Sequence, residues 1–122
     1  MESILNSIKQ MIGGIDENET AFDTDIMIHI NSVFSDLNQM GVGPESTFYI
    51  EDNITTWSEF TDDDALFNSV KTYMYLRVKL LFDPPASASV ISAMERQIDK
   101  LEWRLNVSAS NKAMEGNDDD DE

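Results

Sequence analysis

His29 is the only histidine in the 122-residue chain, and there is no cysteine. A histidine acting as general base needs a group to orient it, and a nitrogen or sulfur metal site needs several ligands at fixed spacing. No second histidine and no H-x-x-x-H pair accompanies His29, so it reads as a structural or surface residue. The carboxylates are the next candidates. They cluster at Asp16–Asp25, at Asp62-Asp63-Asp64 and at Asp118–Asp121 with Glu122. A helix-flanked calcium loop needs spaced oxygen ligands, a glycine at its sharp turn and a closing bidentate Glu. Residues 16–25 contain no glycine. Three adjacent aspartates cannot converge on one ion, so 62–64 reads as a helix start and 118–122 as a solvated run. Serines and lysines occur outside any G-x-S-x-G or S-x-x-K setting. Gly41-Val-Gly43 runs into Pro44 instead of a phosphate-binding turn and reads as a helix end. The expectation is a protein with no catalytic residues, no cofactor and no metal.

Two tryptophans are more informative. Trp103 falls about 140° from Ile98 at roughly 100° per helical residue, off the apolar seam of its helix. A tryptophan left in water is a favoured interface anchor. Trp57 and Phe60, in a middle stretch of different character, raise the same expectation.

Four helical segments must position these residues. Residues 2–12 place Ile4, Leu5, Ile8, Met11 and Ile12 at helical spacing, and Gly13-Gly14 ends the segment. Residues 20–40 repeat Ile26, Ile30, Val33, Leu37 and Met40, with Thr20 or Asp23 as the cap. Residues 45–60 hold Phe48, Tyr49, Ile50, Ile54 and Trp57 around Glu51-Asp52-Asn53, which suits a loop or small β-hairpin. Residues 61–82 carry apolar side chains nearly all round, the pattern of a helix buried on most sides. A capping box from Thr61 to Asp64 would start that helix. Asp83-Pro84-Pro85 stops it, because proline cannot continue the hydrogen-bond ladder and restricts the residue before it. Ser87 or Ser89 then caps a last helix with a narrow seam at Ile91, Met94, Ile98, Leu101 and Leu105. The fold class expected is all-α: a small bundle of about four helices over 1–108, with an acidic C-terminal tail over 109–122. The expected core is Ile8, Ile30, Phe34, Leu37, Val70, Met74, Leu81, Met94, Ile98 and Leu101.

The formal net charge is −16, and it is unevenly spread. Residues 1–70 carry 14 acids against the single base Lys9, while residues 71–110 carry 4 acids and 6 bases. Residues 111–122 add 6 acids and one base. A plain nucleic-acid binder would have the opposite sign. The split suits a chain whose basic face meets the acidic face of another copy. No stretch approaches the roughly 20 apolar residues of a membrane span. The N-terminus lacks the basic start of a signal peptide, and the absence of cysteine suits a cytosolic or assembled-particle setting.

The ordered strings DTDIMIHINSVFSDLNQMGVGP, TTWSEF, VKTYMYLRVKLLFDPP and MERQIDKLEWRLN resemble the head–tail connector (adaptor, or head-completion) proteins of long-tailed phages. The likeness runs over about residues 1–108, and YLRVKLLFDPP and LEWRLN are its most specific parts. It implies a helical virion protein that forms a ring, commonly of twelve copies, at the neck of the capsid portal vertex. Assembly would take place in the host cytoplasm. The implied partners are other copies of itself, the portal protein and the next neck or tail-completion protein. DNA would pass through the ring without specific binding, and no membrane is involved. On this reading the subunit interface draws on Arg77, Lys79, Arg96, Trp103 and Arg104. The channel or tail-side loop would present Glu51, Asp52, Trp57 and Phe60. Asn106, Val107, Asn111 and Lys112 would face the portal. The runner-up is an acidic DNA mimic that inhibits a DNA-binding partner. It needs carboxylates over one continuous face, whereas residues 71–110 are net positive.

Overall fold

The computed structural model describes the backbone of residues 2–120 and the side chains of residues 2–112. Among the described residues five helices follow in order: α1 (Ile4–Gly13), α2 (Asp23–Gln39), α3 (Trp57–Phe60), α4 (Asp64–Phe82) and α5 (Ala88–Asp120). The expected all-α bundle is what the chain forms, with α3 as one additional turn. Among the described residues the middle segment contains no hairpin. Its one extended pairing is an isolated antiparallel bridge between Ser3 and Thr56.

Local signals set most helix ends. Ser3 caps α1 by accepting from the Asn6 amide, and Gly14 closes it in the left-handed conformation at φ 62°. α2 ends in a Schellman arrangement. The Gly41 amide donates to the Asn38 carbonyl at 3.0 Å and the Val42 amide to Leu37 at 2.9 Å. Val42 is buried beneath that turn, as the motif's hydrophobic contact requires. Asp83 follows the last residue of α4, and the Ser87 hydroxyl accepts from the Val90 amide at the start of α5. Two caps differ from expectation. Neither Thr20 nor Asp23 caps α2; Phe22 holds that position without a side-chain bond, because the Asp23 carboxylate turns to Lys9. The cap of α4 is Asp63, which accepts from the Ala65 and Leu66 amides, while the Thr61 hydroxyl accepts from Asp63.

α4 is the centre of the bundle, touching α1, α2 and α5. Three neighbours explain why its apolar side chains run most of the way round. Its Val70, Tyr73, Met74, Leu76 and Val78 join Ile4, Leu5, Ile8 and Ile12 of α1, and Ile26, Ile30, Val33, Phe34 and Leu37 of α2. Met94, Ile98, Leu101 and Leu105 complete the core from α5. Leu81 is a correction: expected inside, it is 52% exposed. It shares the face of Val70 and Met74 but lies in the last turn of α4, which ends at Phe82. α5 also runs further than expected, its backbone continuing as helix through Asp120. Alanine, lysine, methionine and glutamate at 109 and 112–115 are strong helix formers, and they extend the helix beyond Asn106.

Candidate functional site

The middle segment is packed inward. Trp57 is fully buried and Phe60 nearly so. Their expected place on an exposed loop surface is therefore corrected. The Trp57 ring stands 6.2 Å from Phe34 and 5.6 Å from Phe67, and Phe60 stands 5.1 Å from Phe34 and 5.3 Å from Phe48. The indole Nε1 donates to Ser7 Oγ at 2.8 Å, and Ser7 Oγ donates to the Ile4 carbonyl at 3.0 Å. A one-turn helix whose first and last residues are both aromatic delivers both rings to the core, so exposure could not be judged from residue type.

Asn31 pins the rest of the segment to α2. Its side-chain amide donates to the Ile50 carbonyl at 2.9 Å, and its Oδ1 accepts from the Ile50 amide at 2.8 Å. Ile50 is buried, while Tyr49, Glu51, Asp52 and Ile54 around it are exposed. Ile28 sits one turn before Asn31, opposite the buried stripe of α2, and is also exposed. This clamp left no pattern in the sequence, because an isolated asparagine on a helix has no periodicity to mark it.

The acidic stretch from Asp16 to Asp25 is organised by a lysine. Lys9 is fully buried. Its ammonium donates to the Glu19 carbonyl at 2.7 Å and the Glu17 carbonyl at 3.4 Å, and contacts Asp23 Oδ1 at 2.8 Å. Two backbone carbonyls and one carboxylate of the stretch thus converge on an internal cation, while Asp16, Glu17, Glu19 and Asp25 are exposed. Among the described residues no group of three or more His, Cys, Asp or Glu is arranged to hold a metal ion. No helix there is long and apolar enough to cross a membrane.

Arg77 and Lys79, expected at the subunit interface, are engaged within the chain. Arg77 Nη2 donates to Asp36 at 2.8 Å and its Nη1 to the Tyr73 hydroxyl at 2.7 Å. That hydroxyl donates to Glu102 at 2.9 Å, so one polar chain ties α2, α4 and α5. Burial, reinforced by the bond to Glu102, pushes the Tyr73 phenol up to about 12 against the opposing pull of Arg77. Burial disfavours the Arg77 cation, but its bonds to Asp36 and Tyr73 outweigh this and raise its pKa. Lys79 donates to the Ile12 carbonyl at 2.8 Å and to Asp83 at 2.9 Å. Both side chains are only partly exposed and act as internal braces.

The remaining interface candidates lie on the outer face of α5. At roughly 100° per residue, Arg96, Lys100, Trp103 and Val107 fall within about 60° of one another, opposite the buried seam. Arg104 flanks them. All five are exposed, and Trp103 is 67% exposed. Lys100 belongs to this stripe although sequence reasoning passed over it; the same helical spacing finds it once the seam is fixed. Asn106, Asn111 and Lys112 are exposed on the same helix. Arg104, Asn111 and Lys112 also line an open cleft against the Gly41–Pro44 turn and Asp62-Asp63.

The outer face of α5 thus presents an exposed tryptophan between cations. Comparison with curated proteins and with solved structures finds no match. A family model described as phage connector protein matches residues 4–112, nearly all of the helical body and the whole of the outer stripe. The chain belongs to the phage connector protein family, a family of structural virion components.

Proposed function

We propose that this protein is an adaptor that assembles as a ring, of twelve copies by likeness to its family, between the portal and the next neck or tail-completion protein. It extends the DNA channel during head completion and tail joining. The observation that carries this reading is Trp103, 67% exposed on the outer face of α5 beside Arg96, Lys100 and Arg104. A chain that buries Trp57 completely leaves its other tryptophan in water, and the cations around it have no partners within the described residues. Such a residue is an anchor for a partner surface. Asn106, Asn111 and Lys112 are assigned to the portal side, while Val107 lies in line with Trp103. Residues 10–70 contain no Lys or Arg. A channel wall built from that tract would not hold DNA, because phosphate binding rests on cations. Seating the α5 cations between subunits removes them from the wall. The same stripe disfavours the DNA-mimic reading, which requires a uniformly acidic face.

The test is electron microscopy of the protein mixed with its portal. A ring stacked on the portal ring supports the proposal. Persistent absence of a complex, at concentrations where the portal ring is intact, overturns it.

A further inference from the structure

The outer stripe of α5 is mostly cationic, with Asp99 as an exposed acid on its flank, and so it is poorly matched to its own equivalent on another copy. An isologous contact would set Arg96, Lys100 and Arg104 against the same three cations. A second copy must offer a different face, acidic and partly apolar. The clamp between Asn31 and Ile50 builds one. It holds Ile50 against α2, so that the exposed Tyr49, Glu51 and Asp52 flank the helix on which Asp25 and Ile28 are exposed; Ile54 follows in the same loop, its amide donating to Asp52 Oδ1 at 3.0 Å. Tyr49 is 58% exposed, Ile54 74% and Ile28 60%, three of the largest apolar exposures among the described residues. No Lys or Arg occurs within residues 10–70 to dilute the charge of this patch.

We propose that the α5 stripe of one copy docks on the patch formed by Ile28, Tyr49, Glu51, Asp52 and Ile54 of the next copy. Trp103 and Val107 meet the exposed aliphatic and tyrosine side chains, and Arg96, Lys100 and Arg104 meet the carboxylates. The stripe points away from the seam of α5 and the patch points away from the buried stripe of α2. One chain therefore presents both halves at once. A contact between unlike faces repeats head to tail, which is the geometry that closes a ring. The inference rests on the adaptor reading and sharpens it, by moving Glu51 and Asp52 from a channel or tail-side position into the subunit seam.

The chain has no cysteine, so paired cysteines report the contact cleanly. Val107→Cys and Ile54→Cys are introduced singly and together, and the full-length protein is treated with a short bis-maleimide in the presence of portal. The double variant is expected to give a ladder of covalent multimers, while each single variant stays monomeric. Val107→Cys alone forming dimers would mean that α5 pairs with itself and would overturn the proposal. So would linkage of Val107→Cys to the portal instead of to Ile54→Cys. In parallel, Arg96→Glu with Lys100→Glu should weaken self-association by about tenfold or more. Adding Glu51→Lys with Asp52→Lys should restore it. Absence of rescue overturns the pairing. The failures are distinguishable. A portal-bound ring without a ladder sinks the face assignment and leaves the adaptor reading standing. A ladder without portal binding does the reverse.

Discussion

Replacing Lys9 by methionine isolates the contribution of the one base in the first 70 residues. Methionine keeps most of the length and the apolar stem, so the core loses little packing. What disappears is an ammonium with 2.7 Å and 2.8 Å contacts to the Glu19 carbonyl and the Asp23 carboxylate. Removing one partner of a buried ion pair costs about 3–5 kcal/mol, most of it from the stranded opposite charge. Asp23 keeps 19% of its side-chain surface in water, so it is only partly stranded. The expected loss is about 2–3 kcal/mol, a fall in Tm of roughly 8–12 °C for a domain of this size. Urea unfolding followed by far-ultraviolet circular dichroism measures it. A cycle with Asp23→Asn separates the pair from the carbonyl bonds, and a coupling of about 1.5 kcal/mol is expected. If Lys9→Met lies within about 0.5 kcal/mol of the parent, the buried lysine does not organise the acidic link and the reasoning is wrong.

Gly43 has φ 92° and lies so close to Phe60 that an added Cβ would sit 2.5 Å from the ring, so Gly43→Ala should cost about 2–4 kcal/mol, read by the same denaturation. Proteolysis should then open the segment between Gly43 and Phe60 first; unchanged stability would contradict the close approach. Tyr73 is held protonated in the fold up to about 12, above its ordinary value of 10.0. Its stabilisation is therefore complete below pH 10 and falls as pH rises from 10 to 12, by about 2 kcal/mol. A Tyr73→Phe variant should lose this alkaline slope, and retention of the slope would point to another group. Trp103→Ala should leave Tm within about 2 °C of the parent, because the ring is exposed, yet abolish the ring on the portal in electron micrographs. A large loss of stability would place Trp103 in the fold and not at an interface.

The sequence determined four of the five helices and several of their ends, because periodicity, glycine and proline act over a few residues. Ile26 to Leu37 and Met94 to Leu105 announce buried stripes, and Asp83-Pro84-Pro85 announces the corner between α4 and α5. It also determined that the outer face of α5 carries Arg96, Trp103 and Arg104, since fixing the seam fixes the opposite side. Tertiary structure decided what depends on neighbours distant in the chain. Trp57 and Phe60 looked like surface anchors until Phe34, Phe48 and Phe67 closed over them. Arg77 and Lys79 looked free until Asp36 and the Ile12 carbonyl met them from α2 and α1. Lys9 stood out only as the single base of the first 70 residues; its burial depends on the link that folds its carbonyls around it. Burial and ion pairing are properties of pairs of segments. A single helix can state which face it will hide, but only the packed bundle settles which charges and rings remain to meet another molecule.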